Sequence, residues 1–216
     1  MRRGQKILMI LLIKSETANL GAWINILKKL ELKFVLSDQK NRDVASINGI
    51  IFPGIGNFNK VAENIKRFNL DKKILFLVKK NIPYLGICVG MQILFKESEE
   101  SEKSNYHKPL KGLNLIKGKV LKISEKNIVC PHNGWNNIQI KKNLLFQDIK
   151  DNSDFYFNHS YYCYCENKKI ITSTLKDNQN IVSSINQKNI FAVQFHPEKS
   201  MGVGLKLIEN FVKKIC

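Results

Sequence analysis

The sequence predicts an α/β fold: a mostly parallel central sheet flanked by helices, with antiparallel strands added in the C-terminal half. Three observations carry this expectation. The first half alternates short, unbroken apolar runs with stretches of helical period. The second half holds several strand-like segments separated by turn residues. Between them, Pro83–Gln92 reads as a buried strand, a tight turn and the start of a helix. Strand–helix alternation favours parallel strands covered on both faces, because each crossover helix packs back onto the sheet.

The elements follow in order. Ile7–Ile13 is an unbroken apolar run, as expected of a first strand buried on both faces. Leu20–Leu30 carries Leu20, Trp23, Ile24, Leu27 and Leu30 at helical spacing. Phe34–Leu36 and Ile50–Phe52 are short strands, and Pro53–Asn57 is a loop by composition. Val61–Lys80 has helical periodicity. The acidic run Glu97–Lys103 reads as a solvated loop or a fraying helix end. Lys119–Ile123, Asn127–Cys130, Phe155–Tyr164, Lys169–Leu175, Ile181–Ile185 and Ile190–Phe195 are strand-like. Gly204–Lys214 closes the chain as an amphipathic helix. No linker, repeat or low-complexity tract interrupts residues 1–216, which are expected to form one domain.

Composition excludes several classes. Hydrophobic content of 44% and charged content of 25% are ordinary for a soluble globular chain. Met1-Arg2-Arg3 followed by seven apolar residues superficially resembles a secretory signal, but lacks a convincing cleavage site. No apolar run approaches a membrane span, so no membrane association is expected. Five cysteines at irregular spacing are not a disulfide framework, and Cys163-Tyr164-Cys165 lacks zinc-knuckle spacing. Alternation places Cys163 and Cys165 on one strand face as two half-buried thiols. A reducing cytoplasm is the expected compartment, with no metal and no cofactor. The net charge of +17 comes almost entirely from dispersed lysines in a chain crowded with Asn and Ile. Without an Arg-rich cluster or an aromatic stripe, that charge reads as compositional bias, not as nucleic-acid binding.

The chemistry centres on Gly86-Ile87-Cys88-Val89-Gly90-Met91-Gln92. A strand, a Gly-X-Cys-X-Gly turn and a helix make a nucleophile elbow. The turn pushes the sulfur out at the top of the sheet, and a helix N-terminus behind it favours thiolate. A cysteine nucleophile needs a base and an orienting group. The run Phe191–Phe195 ends at His196, followed by Pro197 and Glu198. Functional groups collect at the carboxyl ends of parallel strands, so Cys88 and His196 can meet across the sequence. Glu198 is close enough to hold the imidazole.

These two segments together resemble the class I (triad) glutamine amidotransferases. Within that family, Pro131–Asn136, Phe155–Tyr162 and His196–Ser200 are similar to the glutaminase subunits of imidazole glycerol phosphate synthase. The resemblance implies a flavodoxin-like α/β fold and hydrolysis of glutamine by Cys88, His196 and Glu198. It implies an oxyanion hole from Val89 N–H and the Gly54-Ile55-Gly56 strand. It places glutamine against Gln92, Glu100, His159, Ser160 and Tyr161, with Glu97 and Glu99 as alternatives to Glu100. It further implies a (β/α)8-barrel synthase partner that receives ammonia, docked near Asn19, Pro131, His132, Trp135, Asn136, Tyr156 and Lys199. One segment departs from the family. Lys14-Ser15-Glu16-Thr17-Ala18-Asn19-Leu20 replaces a loop that ordinarily carries two glycines, which leaves open a paralogue serving a different synthase. A non-catalytic scaffold of the same fold is disfavoured by the intact Cys88, His196 and Glu198.

Overall fold

A computed structural model describes residues 8–14, 18–39, 46–102, 110–124, 129–141, 143–176, 178 and 181–215, with the main chain alone at 101, 102 and 215. Ser15–Thr17 of the departing loop, Lys103, Asn127, Ile128 and Cys216 lie outside the described residues.

A nine-stranded sheet forms the centre. Its strands are β1 (Met9–Leu12), β2 (Lys33–Leu36), β3 (Gly49–Gly54), β4 (Tyr84–Cys88), β7 (His132–Ile140), β8 (Asp154–His159), β10 (Ile171–Leu175), β11 (Val182–Gln187) and β12 (Ile190–Val193). They lie in the order β2-β1-β3-β4-β12-β11-β10-β7-β8. The pairings from β2 to β12 are parallel, and those from β12 to β8 are antiparallel. Every residue of β3, β4 and β12 is buried, as expected of strands covered on both faces. A smaller sheet of β5 (Glu97–Ser98), β6 (Gly118–Lys122) and β9 (Tyr161–Cys165) lies beside it.

The helices are α1 (Leu20–Lys29), α2 (Phe58–Arg67), α3 (Leu70–Lys79), α4 (Val89–Gln92), α5 (Glu99–Glu102) and α6 (Met201–Ile215). Asn19 caps α1 by accepting from Ala22 N–H. Asn57 caps α2 by accepting from Asn59 and Lys60 N–H. The single helical stretch expected over Val61–Lys80 is two helices. The break falls at Asn69, whose φ of 53° is left-handed, a region that asparagine tolerates better than most residues.

Other boundaries also differ from expectation. Pro53 and Gly54, expected in a loop, extend β3, because they stay in parallel register with Ile87 and Cys88. Val129 and Cys130 are not strand. The strand begins after the cis peptide at Pro131, at His132. Phe155–Tyr164 is two strands, not one. β8 pairs with β7 in the large sheet, and β9 pairs with β6 in the small one. Ser160 is the corner between them. The acidic run is not a solvated loop. It forms β5 and α5, and α5 packs against α2. Cys163 and Cys165 do share a face, but both are fully buried.

Candidate active site

Cys88 is the last residue of β4, the strand between β3 and β12. Its φ of 53° and ψ of −109° are strained for a residue with a side chain. The strain lies on the cysteine itself. The flanking glycines keep side chains out of the way of this turn. A Cβ on Gly90 would collide with the Phe52 carbonyl, and one on Gly86 with the Gly90 carbonyl. A Cβ on Gly54 would sit 2.7 Å from the Gly90 nitrogen. The elbow thus rests backbone-to-backbone on β3, pinned by the buried Tyr84 hydroxyl, which donates to the Gly90 carbonyl at 2.6 Å. α4 is a single turn, too short for the helix dipole expected to favour thiolate.

β12 runs parallel to β4, with Val193 opposite Ile87. The chain beyond β12 therefore passes beside Cys88. His196 is held from both sides. Its N–H donates to the Tyr156 carbonyl at 2.8 Å, and its own carbonyl accepts from Ser200 Oγ at 2.7 Å. Pro197 opens a short 3-10 turn that brings Glu198 back, with Oε1 2.8 Å from His196 Nδ1. Both side chains are 1% exposed. Burial lowers the imidazole pKa, but interactions with Cys88 and Glu198 outweigh it and raise it to about 10. His196 Nε2 is buried without a hydrogen bond of good geometry, on the ring edge opposite Glu198. A proton held there beside the sulfur is placed to be exchanged with whatever Cys88 attacks.

A cavity of about 390 Å³ opens above the sulfur. Cys88, Val89, Gln92, Ile55, Gly56, Glu100, His159, Ser160 and Tyr161 all line it, as do Pro131 and Asn158. Gly54 does not; it packs beneath the elbow. Glu100 separates clearly from its neighbours. It accepts from Phe58 N–H at 2.7 Å, at the start of α2, and burial raises its pKa against that bond and one from Asn57. Glu99 instead accepts from Lys122 N–H, and Glu97 pairs with Lys96 at the surface.

The residues expected at a docking face divide. Trp135 is 46% exposed and stacks edge-on with Tyr156 at 6.0 Å, and Lys199 Nζ lies 5.3 Å over the Tyr156 ring. Asn19 is exposed at the cap of α1. Pro131 lines the cavity. His132 does not belong to a surface. It is 7% exposed, with Nδ1 2.9 Å from His159 Nε2. β7 turns this side chain inward because it pairs with β8, opposite His159. Asn136 is half-buried and holds His132 from behind, Nδ2 to Nε2 at 3.2 Å.

The tautomers of this pair follow from one backbone group. The Tyr161 carbonyl can only accept, so His159 Nδ1, at 2.8 Å, carries the proton. His159 Nε2 then accepts from His132 Nδ1–H, and His132 Nε2 accepts from Asn136. Both rings are neutral. Burial drives His159 down to about 3, with the neighbouring His132 and His196 assisting against the bond to Tyr161; burial also lowers His132. Unfolded histidine titrates near 6.5, so between about 6.5 and 3 the unfolded chain binds the extra proton. The His159 contribution should therefore lower stability as the pH drops from 7 to 5, by about 2 kcal/mol at pH 5. Urea unfolding of the wild type and His159→Asn at both pH values measures this. The variant should lose that part of the slope.

Gln194 lies in the segment that carries the family resemblance, but the sequence assigns it no role and does not anticipate the His132–His159 contact. Gln194 carries a signal in retrospect, being the lone polar residue in the apolar run Phe191–Phe195. It is fully buried, and its Nε2 lies 3.5 Å from Cys88 Sγ. The histidine contact has no sequence signal, because it depends on the pairing of β7 with β8.

Among the described residues, no group of three or more His, Cys, Asp or Glu side chains is placed to hold a metal, and no helix is long and apolar enough to cross a membrane.

Comparison with known proteins agrees with this geometry. The glutamine amidotransferase class-I family model matches residues 13–215. The chain is 43% identical over 197 residues to imidazole glycerol phosphate synthase subunit HisH of Methanocaldococcus jannaschii, covering 90% of this chain and 95% of the relative. It is 41% identical to the protein of the same name from Pyrococcus furiosus, covering 89% and 93%. Among solved structures, PurLQS from Thermotoga maritima superposes with a TM-score of 0.71 at 16% identity, over 97% of this chain and 99% of that one. A glutamine amidotransferase from the same organism gives 0.67 at 18% identity, over 97% and 84%. At those identities the structures speak to the fold alone. The sequence matches speak to more, and by them this chain belongs to the class-I glutamine amidotransferases.

Proposed function

We propose that this chain is the glutaminase subunit of an imidazole glycerol phosphate synthase, hydrolysing glutamine and passing ammonia to a (β/α)8-barrel cyclase subunit in histidine biosynthesis. The observation that carries the pathway is the shared HisH name of relatives 35–43% identical along nearly the whole chain. The observation that carries the chemistry is Cys88 at the floor of a cavity, with the buried His196–Glu198 pair beside it.

The reaction runs in two halves. Cys88 sulfur attacks the side-chain amide carbon of glutamine, and the carbonyl electrons move to oxygen. The Val89 N–H and the backbone of Ile55 and Gly56 receive that oxyanion. His196 gives its proton to the amide nitrogen, the C–N bond breaks, and ammonia leaves behind a thioester. His196 then takes a proton from water as the water attacks the thioester carbon, which releases glutamate and restores the sulfur. Glu198 keeps the imidazole oriented and stabilises its charged form. Gln92 and Glu100 hold the substrate, with His159, Ser160 and Tyr161 around its amino-acid end. Asn19, Pro131 and Trp135 are the exposed members of the face that meets the barrel, with Tyr156 and Lys199 half-buried beside Trp135, and a half-exposed tryptophan suits an anchor.

A second reading is favoured by one observation. The chain lacks both glycines of the family's first loop, between Lys14 and Leu20. A paralogue serving another synthase, such as one amidating a surface-polysaccharide sugar, would keep the triad and change that loop. Methanococcus maripaludis has two relatives, named HisH 1 and HisH 2, each 37% identical to this chain.

The test is glutamine hydrolysis by the purified chain, alone and with a barrel cyclase and its nucleotide ligand. Hydrolysis should rise at least about a hundredfold when both are present, as allosteric coupling of about 3 kcal/mol allows. Turnover indifferent to the barrel, or switched on by a different synthase, would rule out the histidine reading.

A further inference from the structure

We propose that Gln194 is a positioning residue for the Cys88 nucleophile, its side-chain N–H donating to the sulfur in an orientation imposed by the Tyr161 carbonyl. The proposal rests on Cys88 being the nucleophile.

Gln194 is fully buried, and a buried amide needs partners for both its ends. Its Nε2 lies 3.5 Å from Cys88 Sγ, and its Oε1 lies 3.2 Å from Gln92 Nε2. An amide can be drawn either way round, so its direction has to be derived. The Tyr161 carbonyl supplies the fixed point. It can only accept, and Gln92 approaches it at 3.0 Å. Gln92 must therefore present its NH₂ group there. The same NH₂ group faces Gln194, so Gln194 must turn its oxygen toward Gln92. Its own NH₂ group is then left for the sulfur. Reversing Gln194 would set NH₂ against NH₂ on one side and oxygen against sulfur on the other.

The parallel register of β12 on β4 places this donor beside the elbow. A hydrogen bond to an ionised sulfur is stronger than one to a neutral thiol, so the contact favours the attacking form. It also holds the sulfur's direction where a one-turn helix offers little. The fixed carbonyl serves two chains at once. On its other side it orients His159, His132 and Asn136, so an unbroken run of directed hydrogen bonds leads from β7 to the nucleophile.

The test is alkylation of Cys88 by iodoacetamide in the full chain, followed at the Cys88 peptide by mass spectrometry between pH 6 and 8. Loss of glutamine hydrolysis as wild-type Cys88 is alkylated establishes the nucleophile without reference to Gln194. Gln194→Leu removes the donor at similar volume. It should slow alkylation at pH 7 about tenfold and lower kcat at least as much, with little change in KM. Gln194→Glu keeps the shape and the bond from Gln92, but its ionised form turns an acceptor toward the sulfur. Its alkylation rate relative to wild type should rise as the pH falls, because the protonated carboxyl donates an O–H. The uncharged Gln194→Leu separates loss of the donor from the repulsion that an ionised carboxylate adds by itself. If Gln194→Leu does not fold, Gln194→Met, which also lacks the donor, takes its place. Wild-type alkylation rates in the variants that fold, or a Gln194→Glu ratio that does not change with pH, would overturn the proposal.

Discussion

Cys88→Ala is expected to abolish glutamine hydrolysis, by about 10⁴-fold or more, while leaving the fold intact. No other described side chain is placed to form the thioester. Cys163 and Cys165 are fully buried, and burial raises both thiols, Cys165 to about 12. Cys130 points its sulfur at the Ser160 carbonyl at 4.0 Å, outside the triad. Alanine at 88 fits the space that the cysteine occupies, because it only removes the sulfur. Far-UV and near-UV circular dichroism should therefore match the wild type, and ammonia supplied in solution should still serve a partner synthase. Residual glutamine-dependent ammonia release at the wild-type rate would mean a different nucleophile.

Gly90→Ala is expected to cost about 3–5 kcal/mol, at the upper end for a single substitution. The added methyl would meet the Phe52 carbonyl, a backbone atom of β3 that no rotamer change can move aside. The elbow would have to lift from the sheet, carrying Cys88 and the Gly90 carbonyl held by Tyr84 with it. Thermal unfolding should fall by roughly 8–15 °C for a chain of this size, with loss of activity. Gly202→Ala is the control. That residue is exposed in α6 with open space around it. The same substitution there should stabilise by up to about 1 kcal/mol through helix propensity. Opposite signs at the two positions would separate close approach from glycine content in general.

What the sequence makes legible, and what it does not, divides along physical lines. β3, β4 and β12 are buried on both faces, so each is an apolar run that announces itself. The elbow is legible for the same reason, since its glycines interrupt such a run at fixed spacing. β7 is not. His132–Ile140 has three asparagines, a glycine and a glutamine, and only Ile138 of its apolar residues is fully buried. Its strand form comes from pairing with β8 and β10, which is a tertiary effect. The switch of sheets at Ser160 is silent too, because alternation continues on both sides and one serine is a weak turn signal.

The site divides in the same way. Cys88, His196 and Glu198 are close to motif glycines and a proline that mark them. Glu100 cannot be told from Glu97 and Glu99 in a repetitive acidic run. It is distinguished only by the start of α2, where Phe58 N–H meets its carboxylate. His132 reads as an interface residue next to Trp135, yet the pleat of β7 turns the two to opposite faces. Helix character behind the nucleophile is the other expectation that changes. One turn of helix carries little dipole, so the electrostatics at the sulfur fall to His196 and Gln194 instead.

The most direct measurement is covalent labelling by a diazoketone analogue of glutamine, read by intact mass and peptide mapping. One adduct should form on Cys88. Glutamine should suppress it, and Cys88→Ala should remain unlabelled. An adduct on another residue, or none on Cys88 while glutamine hydrolysis proceeds, would contradict the assignment of Cys88 as the nucleophile.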